Sequence, residues 1–292
     1  MMHRRDFMAL AGASLLPLPA WAEENLLMRA IPSSGEKIPA VGLGTDSYLS
    51  ADARLRDAAS QVTRTLLSGG GTLIDTASTY GDAETIFGDV MAAGNLRDRI
   101  FIATKCEAPD ADEMKRSLAR LKTAKLDLLQ LHNVHDPNQS LAQFRDWKAQ
   151  GIVRYTGITA TWHGHYAALE ATLGREKPDF VQVGYSLEDR LAEDRILPLA
   201  SEVRAAVLTA VPLGRGGLFR AVRGKEIPDW AKGFASSWAQ FFLKFLLADP
   251  RVTAVIPGTT DPAHMADNLS AMRGPLPDPD QRQRMVAFVR SL

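Results

Sequence analysis

The sequence predicts a single-domain α/β protein, a parallel (β/α)8 barrel of the TIM type. Three observations predict it. From Ala40 onward, eight short apolar runs recur in the chain, and amphipathic segments of helical spacing lie between most of them. No composition shift, internal repeat or linker divides the 292 residues, and barrels of about 250 residues fold as one unit.

Residues 1–22 stand apart. His3-Arg4-Arg5-Asp6-Phe7-Met8 gives a charged start, Met8 to Ala20 an apolar stretch, and Ala20-Trp21-Ala22 a small-residue cleavage site, the layout of a signal peptide. A core helix fits less well, because Pro17 and Pro19 would break it. The adjacent arginines with Phe7 resemble the bacterial twin-arginine signal, which implies engagement of that export machinery by an already folded protein. The expectation is a periplasmic mature chain, 23–292. No later run reaches the roughly 18 apolar residues needed to span a bilayer, so no stable membrane attachment is expected after cleavage. The single cysteine, Cys106, has no disulfide partner in the chain, which fits folding before export.

The strands are read as Val41 to Gly44, Thr72 to Asp75, Ile100 to Lys105, Leu126 to His132, Tyr155 to Thr159, Phe180 to Gly184, Ala206 to Ala210 and Ala254 to Pro257. Near-continuous apolar character, as in Leu126 to Leu131, suits strands covered on both faces. Helical spacing appears in Ala53 to Leu67, Glu84 to Ala92, Glu113 to Leu121, Ser140 to Lys148, Tyr166 to Leu173 and Trp238 to Leu247. The Gly274-to-Pro279 tract precedes a last helix over Asp280 to Leu292.

Lys and Arg number 34, as do Asp and Glu. Loss of residues 1–22 removes Arg4, Arg5 and Asp6 and moves the net charge from 0 to −1. Neither form makes an electrostatic case for nucleic acid or an anionic membrane as the main partner. A small-molecule enzyme is the class to test.

In such barrels the carboxyl ends of the strands face the active site. Asp75 ends the second strand, Lys105 the third and His132 the fourth, and Tyr80 lies in the loop after the second. Singly, each has an ordinary reading as a turn, a solvated end or a structural histidine. Together they form a chemically coherent set. Lys105 favours the phenolate of Tyr80, Asp75 holds Lys105 charged, and His132 orients a carbonyl oxygen, which makes general acid catalysis coupled to a hydride carrier.

These residues resemble the aldo/keto reductase family. The likeness rests on Gly42-Leu43-Gly44-Thr45, on Ile74-Asp75-Thr76-Ala77-Ser78-Thr79-Tyr80-Gly81 with Glu84, on Ile102-Ala103-Thr104-Lys105, and on the segment from Leu126 to His132, over about residues 30 to 272. The resemblance implies a catalytic set of Asp75, Tyr80, Lys105 and His132, with Tyr80 the proton donor to an aldehyde or ketone. It also implies a nicotinamide cofactor, NADP(H) ahead of NAD(H), at Gly44, Thr45, Thr159, Gln182, Leu213, Gly214, Arg215, Gly216, Thr259, His264 and Asn268.

Four positions depart from the family's usual residues: Ala160 for Asn, Ala210 for a stacking Tyr, Gly258 for Lys and His264 for Arg. A largely neutral histidine grips a 2′-phosphate less strongly than a guanidinium, so NAD(H) stays open. The same departures leave a second reading, an exported binding protein with a degenerate cofactor site.

The remaining features read more plainly. His163-Gly164-His165 lacks the spacing of a helical metal pair, and no metal site is expected. His135 and Asp136 read as solvated loop, and Cys106 as a small core residue. Asp46, Tyr48 and Trp162 are placed in strand-end loops around the substrate pocket, and Trp230 and Trp238 in packing.

Overall fold

The computed structural model describes residues 26–292, and the predicted signal segment lies outside them. An antiparallel hairpin comes first, β1 (Met28–Ala30) and β2 (Lys37–Pro39). Eight parallel strands follow in chain order as one sheet: β3 (Leu43–Gly44), β4 (Leu73–Asp75), β5 (Phe101–Cys106), β6 (Leu126–Leu131), β7 (Val153–Ala160), β8 (Phe180–Gly184), β9 (Ala206–Ala210) and β10 (Val252–Val255). Parallel bridges from Val41 to Val255 and from Gly44 to Gly258 join the first strand to the last. Gly42 N donates to Val255 O at 2.9 Å and Gly44 N to Pro257 O at 3.1 Å, so the sheet curls round on itself as a (β/α)8 barrel.

The helices are α1 (Ala53–Ser68), α2 (Ala83–Gly94), α3 (Ala111–Arg120), α4 (Ala142–Ala149), α5 (Tyr166–Glu176), α6 (Ile196–Glu202), α7 (Gly217–Ala221), α8 (Trp238–Leu247), α9 (Pro262–Ser270) and α10 (Pro279–Arg290). Local chemistry sets their starts. Asp52 accepts from Leu55 N at the head of α1, whose Leu55, Ala59, Val62 and Leu66 form the buried face. At α10, Asp278 and Gln281 make a reciprocal capping box with Pro279 in the first turn.

One core lies between the strands and their helices. A second fills the barrel's amino-terminal end, where Ile31 and Ile38 of the hairpin region pack with Phe101, Leu128, Tyr155, Phe180 and Leu208. Full burial of each isoleucine contributes about 1.5–3 kcal/mol, so the hairpin acts as a plug. Sequence periodicity missed this hairpin together with the short helices α6 and α7, because three to seven residues are too few to show a repeat. With that end closed, the opposite end is left for chemistry.

Candidate active site

Parallel pairing sets the site's frame. Asp75 is registered against Ala103 and Lys105 against Gln130, so adjacent strands deliver the carboxylate and the ammonium to the same end. The loop after β4 is tied back to β5, with Thr76 N donating to Ala103 O at 2.9 Å and Ser78 N to Lys105 O at 3.0 Å. Tyr80 lies at the end of that loop. Gly81 next to it has φ +52°, and a Cβ there would collide with the Leu49 carbonyl, which is why the motif needs glycine. Glu84 is 1% exposed. It accepts from the Thr104 hydroxyl at 2.6 Å and from Arg120 Nε at 2.7 Å, pinning α2 and α3 to the strand that carries Lys105.

The predicted four residues converge. Lys105 Nζ donates to Asp75 Oδ2 at 2.5 Å and to Thr76 O at 2.8 Å. The same ammonium lies 4.8 Å from the centre of the Tyr80 ring. The Tyr80 and His132 rings meet edge-on, 5.8 Å apart. Burial pulls Lys105 down, but the Asp75 charge, Tyr80 and the hydrogen bonds outweigh it and hold the ammonium above the ordinary lysine range. His132 is pushed down to about 4 by burial and by the Lys105 charge, which leaves its ring neutral at physiological pH.

Tyr80 departs from expectation. Lys105 does lower it, but burial is the larger effect, and Asp75 and Asp46 add to it, so the phenol is raised above its usual value. Tyr80 therefore holds its proton firmly in the resting site.

The predicted cofactor residues divide in two. Gly44, Thr45, Thr159, Gln182, Leu213, Arg215 and Gly216 line a cavity of about 620 Å³ together with Tyr80 and His132. Thr159 and Gln182 face each other across β7 and β8. Gln182 Nε2 donates to Asp75 Oδ1 at 2.9 Å, so this side chain steadies the carboxylate as well as bordering the cavity. Gly214, Arg215 and Gly216 are all left-handed, at φ +60°, +47° and +79°. Gly214 borders a smaller neighbouring pocket with Arg215.

Thr259, His264 and Asn268 are not among the residues lining the main cavity. The Thr259 hydroxyl accepts from Asp261 N at 3.0 Å at the head of α9, Asn268 is buried in α9, and His264 is exposed on it. Among the described residues no carboxylate pairs with Arg215, which leaves a guanidinium at the cavity wall beside a glycine loop, a donor set suited to a pyrophosphate. The residues present fit a nicotinamide dinucleotide.

Several readings of neighbouring residues are corrected. Tyr48 is wholly buried, packs edge-on against Phe87 and donates to Thr259 O at 2.8 Å, so it belongs to the core rather than to the substrate pocket. Trp162 is 68% exposed and meets His165 edge-on outside the cavity lining. Asp46 does line the cavity. Trp238 packs on Phe242 and Phe288, as placed.

Sequence reasoning missed Gln130, whose amide donates to Asp75 Oδ1 at 3.0 Å, and Phe219, an aromatic on the cavity wall. It also missed Glu107, whose Oε1 lies 2.7 Å from His132 Nδ1. A polar residue inside an apolar strand was the available signal for Gln130; nothing local marked the other two.

The aldo/keto reductase family model matches residues 40–286. A methylglyoxal reductase of Escherichia coli, YeaE, is 29% identical over 257 residues, 84% of this chain and 89% of that protein. A 6-dehydroglucose reductase of Novosphingobium aromaticivorans is 28% identical over 290 residues, 88% of this chain and 92% of that one. A crystal structure of a Klebsiella pneumoniae aldo/keto reductase in complex with NADP and acetate superposes with a TM-score of 0.76 at 25% identity, covering 89% of this chain and 95% of that one. With the barrel, the converging side chains and a family match over most of its length, the chain belongs to the aldo/keto reductase family.

Proposed function

We infer that the protein is an NADP(H)-dependent oxidoreductase that reduces aldehyde or ketone carbonyls to alcohols, with Tyr80 as proton donor. The observation that carries the reading is the Tyr80 phenol set over Lys105, itself paired to Asp75, with Tyr80 and Asp75 on the wall of one cavity. NADP(H), when bound, supplies the hydride. Thr159, Gln182 and Arg215 on the cavity wall are the residues to hold it, and the relative solved with NADP supports that cofactor.

Tyr80 keeps its proton at rest because burial disfavours the phenolate. An alkoxide forming at a carbonyl oxygen is far more basic and draws that proton away. Lys105 then stabilises the phenolate left behind, and Asp75, held by Gln130 and Gln182, keeps Lys105 charged and in place. A binding protein would gain nothing from this buried charge relationship.

Methylglyoxal is the first substrate to try, given the relative named for its reduction. Replacing Tyr80 by Phe should lower kcat by about 10²–10⁴-fold, the usual contribution of a general acid, with NADPH affinity unchanged. Wild-type turnover in that variant would remove Tyr80 from the role.

We further propose that residues 1–22 direct export through the twin-arginine route and that the mature chain works in the periplasm. Arg4-Arg5, Phe7 and Ala20-Trp21-Ala22 support this. Folding first lets the protein cross with its dinucleotide already bound. Cell fractionation with amino-terminal sequencing tests it: a cytoplasmic protein that still begins at Met1 would end the proposal.

A further inference from the structure

We propose that Glu107 is a positioning residue for His132 and that its carboxyl group decides which ring nitrogen carries the imidazole proton. The kinetic consequence rests on the reductase reading above; the tautomer itself does not.

Glu107 follows β5, two residues past Lys105. Its Oε1 lies 2.7 Å from His132 Nδ1, and the Thr79 hydroxyl lies 3.4 Å from the same nitrogen. The His132 side chain is 10% exposed and that of Glu107 52%. The Glu107 carboxyl and the Thr79 hydroxyl both face Nδ1, so Nε2 is the ring nitrogen left for the cavity that His132 lines. A neutral imidazole has one proton to place, so the partner at Nδ1 settles which nitrogen has it.

Two arrangements exist. An ionised Glu107 only accepts, so it draws the proton to Nδ1 and leaves a bare lone pair on Nε2. A protonated Glu107 donates to Nδ1, which moves the ring proton to Nε2 and turns it toward the cavity. A carbonyl oxygen also only accepts, so only the second arrangement gives it a donor in addition to Tyr80.

The surroundings of Glu107 bias the choice. Burial and the nearby Glu113 raise its carboxyl above the usual carboxylate range, and His135 opposes them. Glu113 itself accepts from the Ser78 hydroxyl at 2.6 Å and from Glu107 N at 3.2 Å. On the far side of the imidazole, Lys105 and Tyr80 face His132, and Lys105 opposes a second proton on the ring. The raised carboxyl and the lowered imidazole together point to Glu107 as the first of the two to take a proton on acidification.

The experiment is nitrogen-15 NMR of the His132 ring across pH in the wild-type protein and in Glu107→Ala, alongside kcat/KM profiles for carbonyl reduction in wild type and Glu107→Gln. Expected in the wild type is an Nδ1 proton on the alkaline side of the Glu107 titration that transfers to Nε2 as Glu107 is protonated. Glu107→Ala should hold the proton on Nε2 throughout. The wild-type kcat/KM should rise toward acid by about tenfold, the rate equivalent of one hydrogen bond to the carbonyl oxygen, and Glu107→Gln should lack that limb.

The same His132 tautomer in wild type and Glu107→Ala on the alkaline side would overturn the proposal, as would an unchanged acid limb in Glu107→Gln. NADPH binding by both variants checks that they fold. The NMR result needs no turnover, so a failure of the reductase reading would show as an absence of carbonyl reduction in wild type and would leave the tautomer decided.

Discussion

Lys105 Nζ and Asp75 Oδ2 are 2.5 Å apart, and the two side chains are only 1% and 3% exposed. The pair joins adjacent strands at the mouth of the barrel and has almost no water to share its charge.

Breaking such a pair from one side strands the other charge in the protein interior, at a cost of about 3–5 kcal/mol. Asp75→Asn should therefore lower the free energy of unfolding by about that amount. The double variant Asp75→Asn with Lys105→Met should lose less than the two single losses combined. Urea unfolding of the four proteins checks both statements, and additive losses would mean that the charges do not depend on each other.

Gly81→Ala should cost about 1–3 kcal/mol in stability and also depress turnover, because the left-handed turn and the Leu49 carbonyl together fix where Tyr80 stands. Gly35 makes the control: its φ is +80°, yet a Cβ there meets nothing within 4 Å. Gly35→Ala should show a stability loss in thermal unfolding and leave kcat unchanged.

His132 gives a pH dependence of stability. Its folded value is about 4 against 6.5 for the free side chain, so as pH falls below 6.5 the unfolded chain takes up a proton that the folded ring refuses. Stability is full above 6.5 and is lost as pH falls through about 4, by about 2–3 kcal/mol from this residue. Urea midpoints between pH 7 and pH 4 should slope less in His132→Asn, and equal slopes would contradict the buried neutral ring.

His264 is exposed on α9, at the position that the family resemblance assigns to the adenosine 2′-phosphate and where the family commonly has an arginine. His264→Arg should tighten NADPH binding by about tenfold, through a charge-assisted contact to the 2′-phosphate, and leave NADH affinity unchanged. Fluorescence titration with both nucleotides reads this directly. A parallel gain for both would place residue 264 away from the 2′-phosphate.

Much of the barrel was legible because its signals are local. A buried parallel strand must be apolar throughout, and a helix packed on it must be apolar on one side, so the succession of strands stood out from Val41 to Pro257. Asp75, Lys105 and His132 were legible as polar residues closing such runs. Tyr48 was misread because its residue type suits a pocket and a core equally; contact with Phe87 and the Thr259 carbonyl decided for the core.

The sequence by itself thus determined the strand and helix order and the carboxyl-end placement of the reactive side chains, both consequences of backbone geometry over a few residues. Only the tertiary structure decided what holds each group. Gln130 and Gln182 reach Asp75 from 55 and 107 residues away, and Glu107 reaches His132 across neighbouring loops. It also decided the direction of the Tyr80 shift, because Lys105 and burial act in opposition there and their balance depends on depth and distance, which exist only once the barrel has closed.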